Sequence, residues 1–454
     1  MDEQMRRERA RREKRRKKKR MKKRIFKIEM GMLILIFAVL LTVVIRERVK
    51  EKESTEAMER NEESFGGNLS ENKREQENDA AQKVEGDKEN FDASEDEGDA
   101  QGEILQNEEE SRPEESQEDE TAQETESIIR LDSDDTGEIV LAFAGDICFY
   151  DEYSNMYSYV QKGSDIEKCI SADLMDEMRG ADVFMVNNEF AYTTRGEALP
   201  DKTYTFRSKP ENVKILTDMG VDIVSLANNH VYDYGEVSLL DTLDTLNNAG
   251  VPYVGAGRNL EEASGAVSFV KNGMKIAYLS ATQIERLDNP DTKGATEDGA
   301  GTFRCWGNKL EDLTKAVAKA KEENDFVVVY IHWGTENTDV LDWAQLDQAK
   351  AIAKAGSDLI IGDHPHCLQQ FANVEGVPVI YSLGNFWFNS KTLDTGLLKV
   401  TLNRDGIKSY QFLPAIQQNC TTTMAGGTEK ERILEYMRQI SPGVTIDGDG
   451  FVSF

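Results

Sequence analysis

From residue 138 onward, the chain alternates between short apolar runs and segments of helical periodicity. The apolar runs have the length of buried strands, and they are Ile139–Ala144, Val183–Val186, Ile223–Leu226, Phe326–Ile331 and Leu359–Ile361. Between them, Glu236–Ala249 and Leu310–Glu323 place apolar side chains three and four residues apart, a spacing typical of amphipathic helices that pack on a sheet. This alternation predicts an α/β domain with a largely parallel sheet.

Two segments depart from the alternation and indicate antiparallel strands. Val267–Leu279 contains the turn sequence Asn272-Gly273, and Leu397–Phe412 contains Asp405-Gly406. Both dipeptides are typical of two-residue hairpin turns. We therefore expect antiparallel strands to be mixed into the sheet structure. Beyond the second hairpin the pattern predicts one more helix, at Glu429–Ile440, and offers no recognisable chemistry.

The charge of the chain is distributed unevenly. Residues 1–50 contain 19 basic and 6 acidic side chains, residues 51–130 contain 8 and 29, and residues 131–454 contain 27 and 49. The last part is long enough to bury a core, which excludes a wholly disordered chain and a disulfide miniprotein. Because this part is net negative, it would repel phosphate backbones, and we expect no nucleic-acid partner.

The N-terminal part has the features of a single membrane anchor. Lys27 and Glu29 are the only charges between Ile25 and Ile45, a length close to the roughly 20 residues that cross a bilayer. Basic residues before this span and acidic residues after it predict a cytoplasmic N-terminus and an extracellular C-terminal domain at the cell membrane. A cleaved signal peptide is the alternative, but its apolar core is usually about 7–15 residues long.

The segment after the span is rich in Glu, Asp, Gln, Asn and Ser and cannot bury enough apolar surface to fold. We expect it to be an extended, disordered tether. The predicted organisation is a basic cytoplasmic head (1–24), a transmembrane anchor (25–45), an acidic disordered linker (46–135), the main domain (136–417) and a C-terminal extension (418–454).

Each predicted strand ends in a cluster of polar residues. The clusters are Gly145-Asp146, Asn187-Asn188-Glu189, Asn228-Asn229-His230, His332 and Asp363-His364-Pro365-His366. In open α/β sheets, ligands bind beyond the carboxyl ends of the strands. Five separate loops could therefore deliver polar side chains to one place.

The histidines strengthen this prediction. The chain has only four, His230, His332, His364 and His366, and every one follows a predicted strand. Imidazole and carboxylate ligands together suit Zn, Mn or Fe better than Ca or Mg. The number of donors exceeds the needs of one tetrahedral ion, which favours two divalent ions that share a bridging carboxylate.

Taken in order, these motifs resemble a known family. They are Gly145-Asp146, Asn188-Glu189, Thr205-Phe206-Arg207-Ser208, Ala227-Asn228-Asn229-His230 with Asp233 and Gly235, His332-Trp333-Gly334 with Glu336, His364-Pro365-His366, and Tyr381-Ser382-Leu383-Gly384-Asn385-Phe386. The set resembles the bacterial capsule synthesis protein (CapA) family linked to poly-γ-glutamate. That family is similar to the calcineurin-like metallophosphoesterases, so the resemblance implies a four-layer αββα sandwich.

The resemblance also implies roles for individual residues. The implied metal ligands are Asp146, Glu189 as the bridging carboxylate, Asn229, His332, His364 and His366. It implies that His230 is the acid near the leaving group. Asp146-Ile147-Cys148 stands where the superfamily has Asp-x-His, so one ligand is missing or replaced by sulfur. Asp363 also departs from the family pattern, in which a small residue or another histidine is common.

Several further residues are candidates for supporting roles. Arg207 could grip phosphate or carboxylate, or form a surface ion pair. The residues that could orient site groups through hydrogen bonds are Asn228, Asp233, Glu336 and Asn385. The five cysteines show no disulfide framework; Cys148 and Cys367, beside predicted ligands, could be small buried side chains, thiolate ligands or a disulfide. Trp333 and Trp387 could pack beside the site or line a substrate groove.

Two hypotheses for the function follow. The first is a membrane-anchored cell-surface enzyme, a metal-dependent hydrolase with a phosphoesterase-like site. It would act on a phosphate-containing envelope substrate or on polyglutamate during capsule or cell-envelope polymer biosynthesis. The second is a non-catalytic capsule-assembly factor that binds an anionic polymer beside a membrane polyglutamate synthase.

Overall fold

The computed structural model describes residues 127–200, 202–284 and 293–454. The predicted basic head, the membrane span and most of the linker lie outside these residues. Among the helices of the described ranges, none combines the length and the apolar character that crossing a bilayer requires.

The described residues form 21 strands. In chain order they are β1 (Ser127–Arg130), β2 (Ile139–Ile147), β3 (Val183–Asn188), β4 (Ala191–Tyr192), β5 (Arg207–Ser208), β6 (Ile223–Ser225), β7 (Tyr253–Val254), β8 (Ala256–Gly257), β9 (Val267–Lys271), β10 (Met274–Thr282), β11 (Gly301–Thr302), β12 (Phe326–His332), β13 (Leu359–Asp363), β14 (Phe371–Val374), β15 (Val377–Ile380), β16 (Asn385–Trp387), β17 (Leu393–Asn403), β18 (Gly406–Gln418), β19 (Thr421–Met424), β20 (Thr445–Ile446) and β21 (Phe451–Ser453).

Eight α-helices lie between these strands in the described part of the chain. They are α1 (Ser154–Gln161), α2 (Ala172–Arg179), α3 (Lys214–Met219), α4 (Glu236–Ala249), α5 (Leu260–Ser264), α6 (Leu310–Glu323), α7 (Trp343–Ala355) and α8 (Gly427–Ile440). Helices α4 and α6 coincide with their predicted bounds. Helix α7 begins with a capping box, in which Asp342 and Gln345 each bond the other's backbone N–H.

The strands form two large mixed sheets. The seven-stranded sheet has the order β1-β9-β10-β12-β13-β15-β14, with parallel pairs at its centre. The ten-stranded sheet has the order β20-β21-β18-β17-β2-β3-β6-β7, with β16 paired to β2 and β19 paired to β18. Strands β2, β3, β6 and β7 are parallel, whereas β17 and β18 form an antiparallel hairpin. Both predicted hairpins are therefore present, β9–β10 and β17–β18.

Side-chain alternation along the central strands explains how the sheets pack. In β2, Leu141 and Phe143 belong to a buried cluster that also contains side chains of the seven-stranded sheet, including Tyr278. The intervening Ala142 and Ala144 belong to a second cluster, with helices α1 to α4. Successive strand residues point to opposite faces. One face of the ten-stranded sheet therefore packs on the other sheet, and its opposite face packs on helices.

The seven-stranded sheet is covered in the same way. In β12, Val328 and Tyr330 face the ten-stranded sheet, while Val329 and Ile331 belong to a third cluster with side chains of α6 and α7, such as Val317. Every residue of β12 is buried. The sequence of a strand that is covered on both faces is a continuous apolar run, which is why β12 is well predicted from the sequence. The domain is a mixed α/β structure, as expected.

Two boundaries differ from the prediction. Ser127–Arg130 was assigned to the linker, but it forms β1 and pairs in parallel with β9. The C-terminal extension is part of the domain, because Ile433, Leu434 and Met437 of α8 lie in the cluster between the two sheets. A four-residue edge strand such as β1 has too few apolar residues for the sequence pattern to reveal it, and the pattern that predicts α8 does not show what the helix packs against.

Candidate metal centre

The predicted site residues come from the carboxyl ends of strands in both sheets. Asp146 lies near the end of β2, and Glu189 directly follows β3. His332 is the last residue of β12, and in the parallel ladder it is in register with Asp363 of β13. Asn385 of β16 is in register with Asp146. Because parallel strands place their carboxyl ends at one edge, both sheets deliver polar groups to the same place.

Glycine allows one of these close approaches. A Cβ added to Gly145 would lie 1.8 Å from the carbonyl oxygen of Gly384. That oxygen accepts a hydrogen bond of 3.0 Å from the backbone N–H of Asp146. Only a residue without a side chain lets the two backbones come this close, so Gly145 brings Asp146 beside Asn385.

Besides the group formed by Asp146, His332 and Asp363, the donors form two groups that share Glu189. One group is Glu189, His332 and His364, and the other is Asp146, Glu189 and His366; within each group, one ligand atom per residue lies within 4.8 Å of the others. Asn229 adds to the first group, since its Oδ1 is 2.7 Å from His332 Nε2. All six predicted ligands are therefore brought together, and Glu189 is common to both groups.

Glu189 is the least satisfied residue of the site. It is fully buried, and neither carboxylate oxygen has a hydrogen-bond partner among the described residues. The nearest imidazole nitrogens are those of His332 at 3.7 Å, His230 at 3.9 Å and His366 at 3.9 Å. Burial raises the pKa of Glu189 well above its usual range, and the charge of Asp146 raises it further. A buried carboxylate without donors is costly unless a cation neutralises it.

The hydrogen bonds of His332 point to the same conclusion. Its Nδ1 is 2.9 Å from Asp363 Oδ1, so this nitrogen donates its proton to the carboxylate. Nε2 then carries a lone pair, yet it faces Asn229 Oδ1 at 2.7 Å, and a carbonyl oxygen accepts but does not donate. His364 Nδ1 is also 2.9 Å from Nε2, so three ligand-type atoms from three loops converge at this point. The donor set therefore fits a metal ion.

Three of the four imidazoles are neutral, which is the state in which a histidine can bind a metal. Burial lowers the pKa values of His230, His332 and His364 well below the usual histidine range, so these rings are neutral. His366 differs: burial alone would lower its pKa, but the hydrogen bond from Nδ1 to Asp146 Oδ2, at 3.1 Å, raises it.

Asn385 holds the second group in place, because its Oδ1 is 2.8 Å from Nδ1 of His366.

The loop after β13 places its two histidines with unusual backbone geometry. His364 has φ of 90° and His366 has φ of 58°, both in the left-handed region that non-glycine residues rarely adopt. Conformations of this kind cost about 1–3 kcal/mol each and cluster at functional sites.

His230 lies beside the two groups and is oriented by Asp233. Its Nδ1 is 2.7 Å from Asp233 Oδ2, and its ring stacks on Phe206 with centroids 4.2 Å apart. Asn228 shapes the same turn, since its Oδ1 accepts hydrogen bonds from the backbone N–H groups of His230 and Val231. Burial raises the pKa of Asp233 to about 7, although the neighbouring ammonium of Lys202 opposes this shift. Nε2 of His230 is thereby turned toward Glu189.

Arg207 and Glu336 lie further from the donors. Arg207 is half-buried, with its guanidinium 4.5 Å from the centroid of the Tyr234 ring. It forms no ion pair with any described residue. Glu336 is exposed on the loop after β12, and its negative charge contributes to the raised pKa values of Glu189 and His366.

Cys148, Trp333 and Trp387 are fully buried beside the site. Cys148 is fully buried, and burial raises the pKa of its thiol well above the usual range. Within the described ranges, all cysteines are free and the donor groups contain none of them. The fully buried Trp333 and Trp387 donate their indole N–H groups to the carbonyl oxygens of Tyr381 and Cys420.

Three residues that contact the site have no role in the sequence prediction, although Asn187 and Asp363 belong to the polar clusters at the predicted strand ends. Asp363 binds His332, Asn187 donates to Asp146 Oδ1 at 2.9 Å, and Lys202 pairs with Asp233 at 2.5 Å. Asp363 lies at a predicted strand end, but the sequence does not show that its strand neighbours the strand of His332. Lys202 gives no such signal.

The chain is similar to a known protein family and to several curated proteins. The family described as bacterial capsule synthesis protein PGA_cap matches residues 140–390. The chain is 32% identical over 243 residues to the capsule biosynthesis protein CapA of Bacillus anthracis. The aligned residues make up 51% of this chain and 57% of that protein. It is 33% identical over 220 residues to the PGA biosynthesis protein CapA of Bacillus subtilis, covering 47% and 56%.

A more distant relative is a probable polyglutamine synthesis accessory protein of Mycobacterium tuberculosis, 27% identical over 213 residues, which covers 46% of this chain and 56% of that protein. The chain thus spans rather more than half the length of these curated relatives. The matched range 140–390 contains both donor groups, His230 and Asn385. By this match, the chain belongs to the bacterial capsule synthesis protein family PGA_cap.

Proposed function

We propose that this protein is a metal-dependent hydrolase with a phosphoesterase-like site, acting in the synthesis of capsule or another cell-envelope polymer. The observation that carries the proposal is Glu189, a buried carboxylate that two donor groups share and that no described residue satisfies by a hydrogen bond. We further assign the domain to the calcineurin-like metallophosphoesterase type. The two facing sheets with helices on their outer faces support this assignment.

The residues divide into complementary roles. The six donors would hold one or two divalent ions, of Mn, Zn or Fe. When bound, such ions supply an activated water and stabilise the charge that develops on the substrate. His230 would give a proton to the leaving group from Nε2. For this, Asp233, whose pKa burial raises to about 7, would hold a proton and donate it in a hydrogen bond to Nδ1, so that the proton of the neutral ring stays on Nε2. Arg207, which has no carboxylate partner among the described residues, would bind a phosphate or carboxylate of the substrate.

The location is part of the proposal. The predicted anchor at 25–45 would hold the protein in the cell membrane with its N-terminus in the cytoplasm and its domain outside. The substrate would then be an anionic polymer or a phosphate-containing envelope intermediate, and a polyglutamate synthase complex would be a natural partner. The names of the relatives, which refer to capsule, PGA and polyglutamine synthesis, support this pathway.

A second candidate is a non-catalytic assembly factor that binds the anionic polymer beside the synthase. One observation favours it: a buried thiol, Cys148, stands where the superfamily has a histidine ligand, and it belongs to neither donor group. The relative named an accessory protein is consistent with such a role.

The test uses the purified full-length chain. After treatment with a chelator, the protein is loaded with Mn²⁺ or Zn²⁺, bound metal is measured by elemental analysis, and turnover of an aryl phosphodiester is followed. We expect His332→Ala to lose metal and activity together. His230→Ala should keep the metal and lose turnover by roughly 10²–10⁴-fold, the usual contribution of a general acid.

Each outcome distinguishes the hypotheses. Metal binding without turnover of phosphoesters or polyglutamate would favour the assembly factor. Absence of metal binding in the unmodified protein would contradict the hydrolase and would leave anion recognition by Arg207 as the basis of an assembly factor.

A further inference from the structure

Lys202 is a buried cation next to the candidate centre, and neither the motifs nor the family match assigns it a role. Its side chain is only 7% exposed, and its Nζ lies 2.5 Å from Asp233 Oδ1. The same ammonium donates to the backbone carbonyl oxygen of Asn229. An ammonium group is seldom buried unless it is paired, because the loss of hydration is costly. This burial therefore indicates that its contacts are specific.

These two contacts of Lys202 fall on both sides of His230. On one side is Asn229, whose side chain belongs to a donor group. On the other is Asp233, whose Oδ2 accepts from the backbone N–H of Phe206 at 2.6 Å and lies 2.7 Å from Nδ1 of His230. Asp233 thus contacts Lys202 through one oxygen and His230 through the other.

We infer that Lys202 is a positioning residue that holds Asn229 and Asp233 together and thereby sets the orientation of His230. The inference rests on the proposed function for the role of His230, but its geometric part does not. Without the ammonium, Asp233 Oδ1 would lose this donor, and the carboxylate could rotate away from the imidazole. The turn that carries Asn229 would lose a constraint at the same time.

The chain offers a matched control in Lys271. This lysine is also 7% exposed, and it pairs with Asp134 and Asp182 at 2.6 Å each. Its partners are not among the donors of the centre. Lys202→Met and Lys271→Met therefore each remove one buried ammonium that has a carboxylate partner, but only the first removes it from beside His230.

The first measurement uses metal-free, full-length protein labelled with ¹⁵N at histidine. A His230→Gln variant identifies the two ring nitrogens of His230. We expect these resonances to shift in Lys202→Met and to stay unchanged in Lys271→Met. Lys202→Arg, which keeps a cationic donor, should stay close to the unmodified protein. Because no metal is present, this measurement does not depend on the proposed reaction.

The second measurement is calorimetric titration with Mn²⁺, followed by steady-state kinetics on an aryl phosphodiester. Contacts behind metal ligands typically contribute 10–100-fold to metal affinity or activity. We expect a loss of that size in Lys202→Met, with kcat reduced more than KM, and none in Lys271→Met.

The results separate the two proposals. If the unmodified protein binds no metal but the His230 resonances shift in Lys202→Met alone, the proposed function fails and the inference holds. If the resonances and the affinity of Lys202→Met equal those of Lys271→Met, the inference is wrong. If Lys202→Met does not fold, Lys202→Arg is used as the test instead. Altered His230 resonances in Lys202→Arg would overturn the inference.

Discussion

Replacing Glu189 by glutamine is the most direct perturbation of the candidate centre. The amide has nearly the same shape as the carboxylate but no charge, and it can donate a hydrogen bond, for example to the nearby carboxylate of Asp146. In the metal-free protein, a buried group without partners costs about 1–3 kcal/mol. We therefore expect Glu189→Gln to make the metal-free protein more stable, by about 1 kcal/mol.

The stabilisation that added metal gives should, by contrast, be smaller in Glu189→Gln than in the unmodified protein. A ligand present at 100 times its dissociation constant stabilises a protein by about 2.7 kcal/mol, which corresponds to a rise in Tm of about 5 °C for a domain of this size. Glu189→Gln removes the ligand common to both donor groups. Its Tm should then rise by less than about 1 °C when metal is added at the same concentration.

The assay is thermal unfolding of the full-length chain with chelator and with added Mn²⁺. Glu177→Gln is the control, because its carboxylate pairs with Lys399 and belongs to neither donor group; its metal response should equal that of the unmodified protein. The pH dependence adds a check. Since the pKa of Glu189 is raised in the native state, the unmodified metal-free protein loses stability as pH rises above the usual glutamate range. The advantage of Glu189→Gln should therefore grow with pH. A destabilised metal-free variant with an intact metal response would refute the reasoning.

Two further predictions concern other parts of the domain. Gly145→Ala should lower the free energy of unfolding by about 1–3 kcal/mol, as overpacking does, because the new methyl group would lie 1.8 Å from the carbonyl oxygen of Gly384. The same change should weaken Mn²⁺ binding. Denaturant unfolding and calorimetry measure the two effects, and unchanged values of both would contradict the close approach of Gly145 and Gly384. Burial raises the pKa of Asp222 to about 6, so the native protein binds a proton more tightly than the unfolded chain does between about pH 4 and 6. Stability is lost as pH rises through that window, and the advantage of Asp222→Asn should increase by up to about 3 kcal/mol from pH 4 to 7; parallel pH profiles would contradict it.

Much of the central fold follows from local patterns in the sequence. The predicted strand at residues 326–331 is visible because every side chain is buried, and Glu236–Ala249 is visible because its apolar positions repeat with helical spacing. Polar residues that interrupt apolar runs reveal the strand ends. These signals are local, so they can be recognised without knowing which other strands and helices each element packs against.

The contacts that no local pattern encodes were not predictable. Asp363 meets His332 only because two strands far apart in the chain are neighbours in register. Lys202 lies in a segment without regular secondary structure, where neither periodicity nor spacing indicates burial. The sequence also gave no reason to separate Ser127–Arg130 from the acidic linker, since a four-residue edge strand buries little surface.

The donors of each group come from strands of both sheets, Glu189 from the ten-stranded sheet and His332 from the seven-stranded sheet. An ion held between them would act as a cross-link across the interface of the two layers. Its removal would loosen that interface first at the strand ends, where amide hydrogens of β3 and β12 should exchange with solvent sooner than those of the outer helices. Occupancy of the centre would thus govern the cooperativity of the whole sandwich as well as its chemistry.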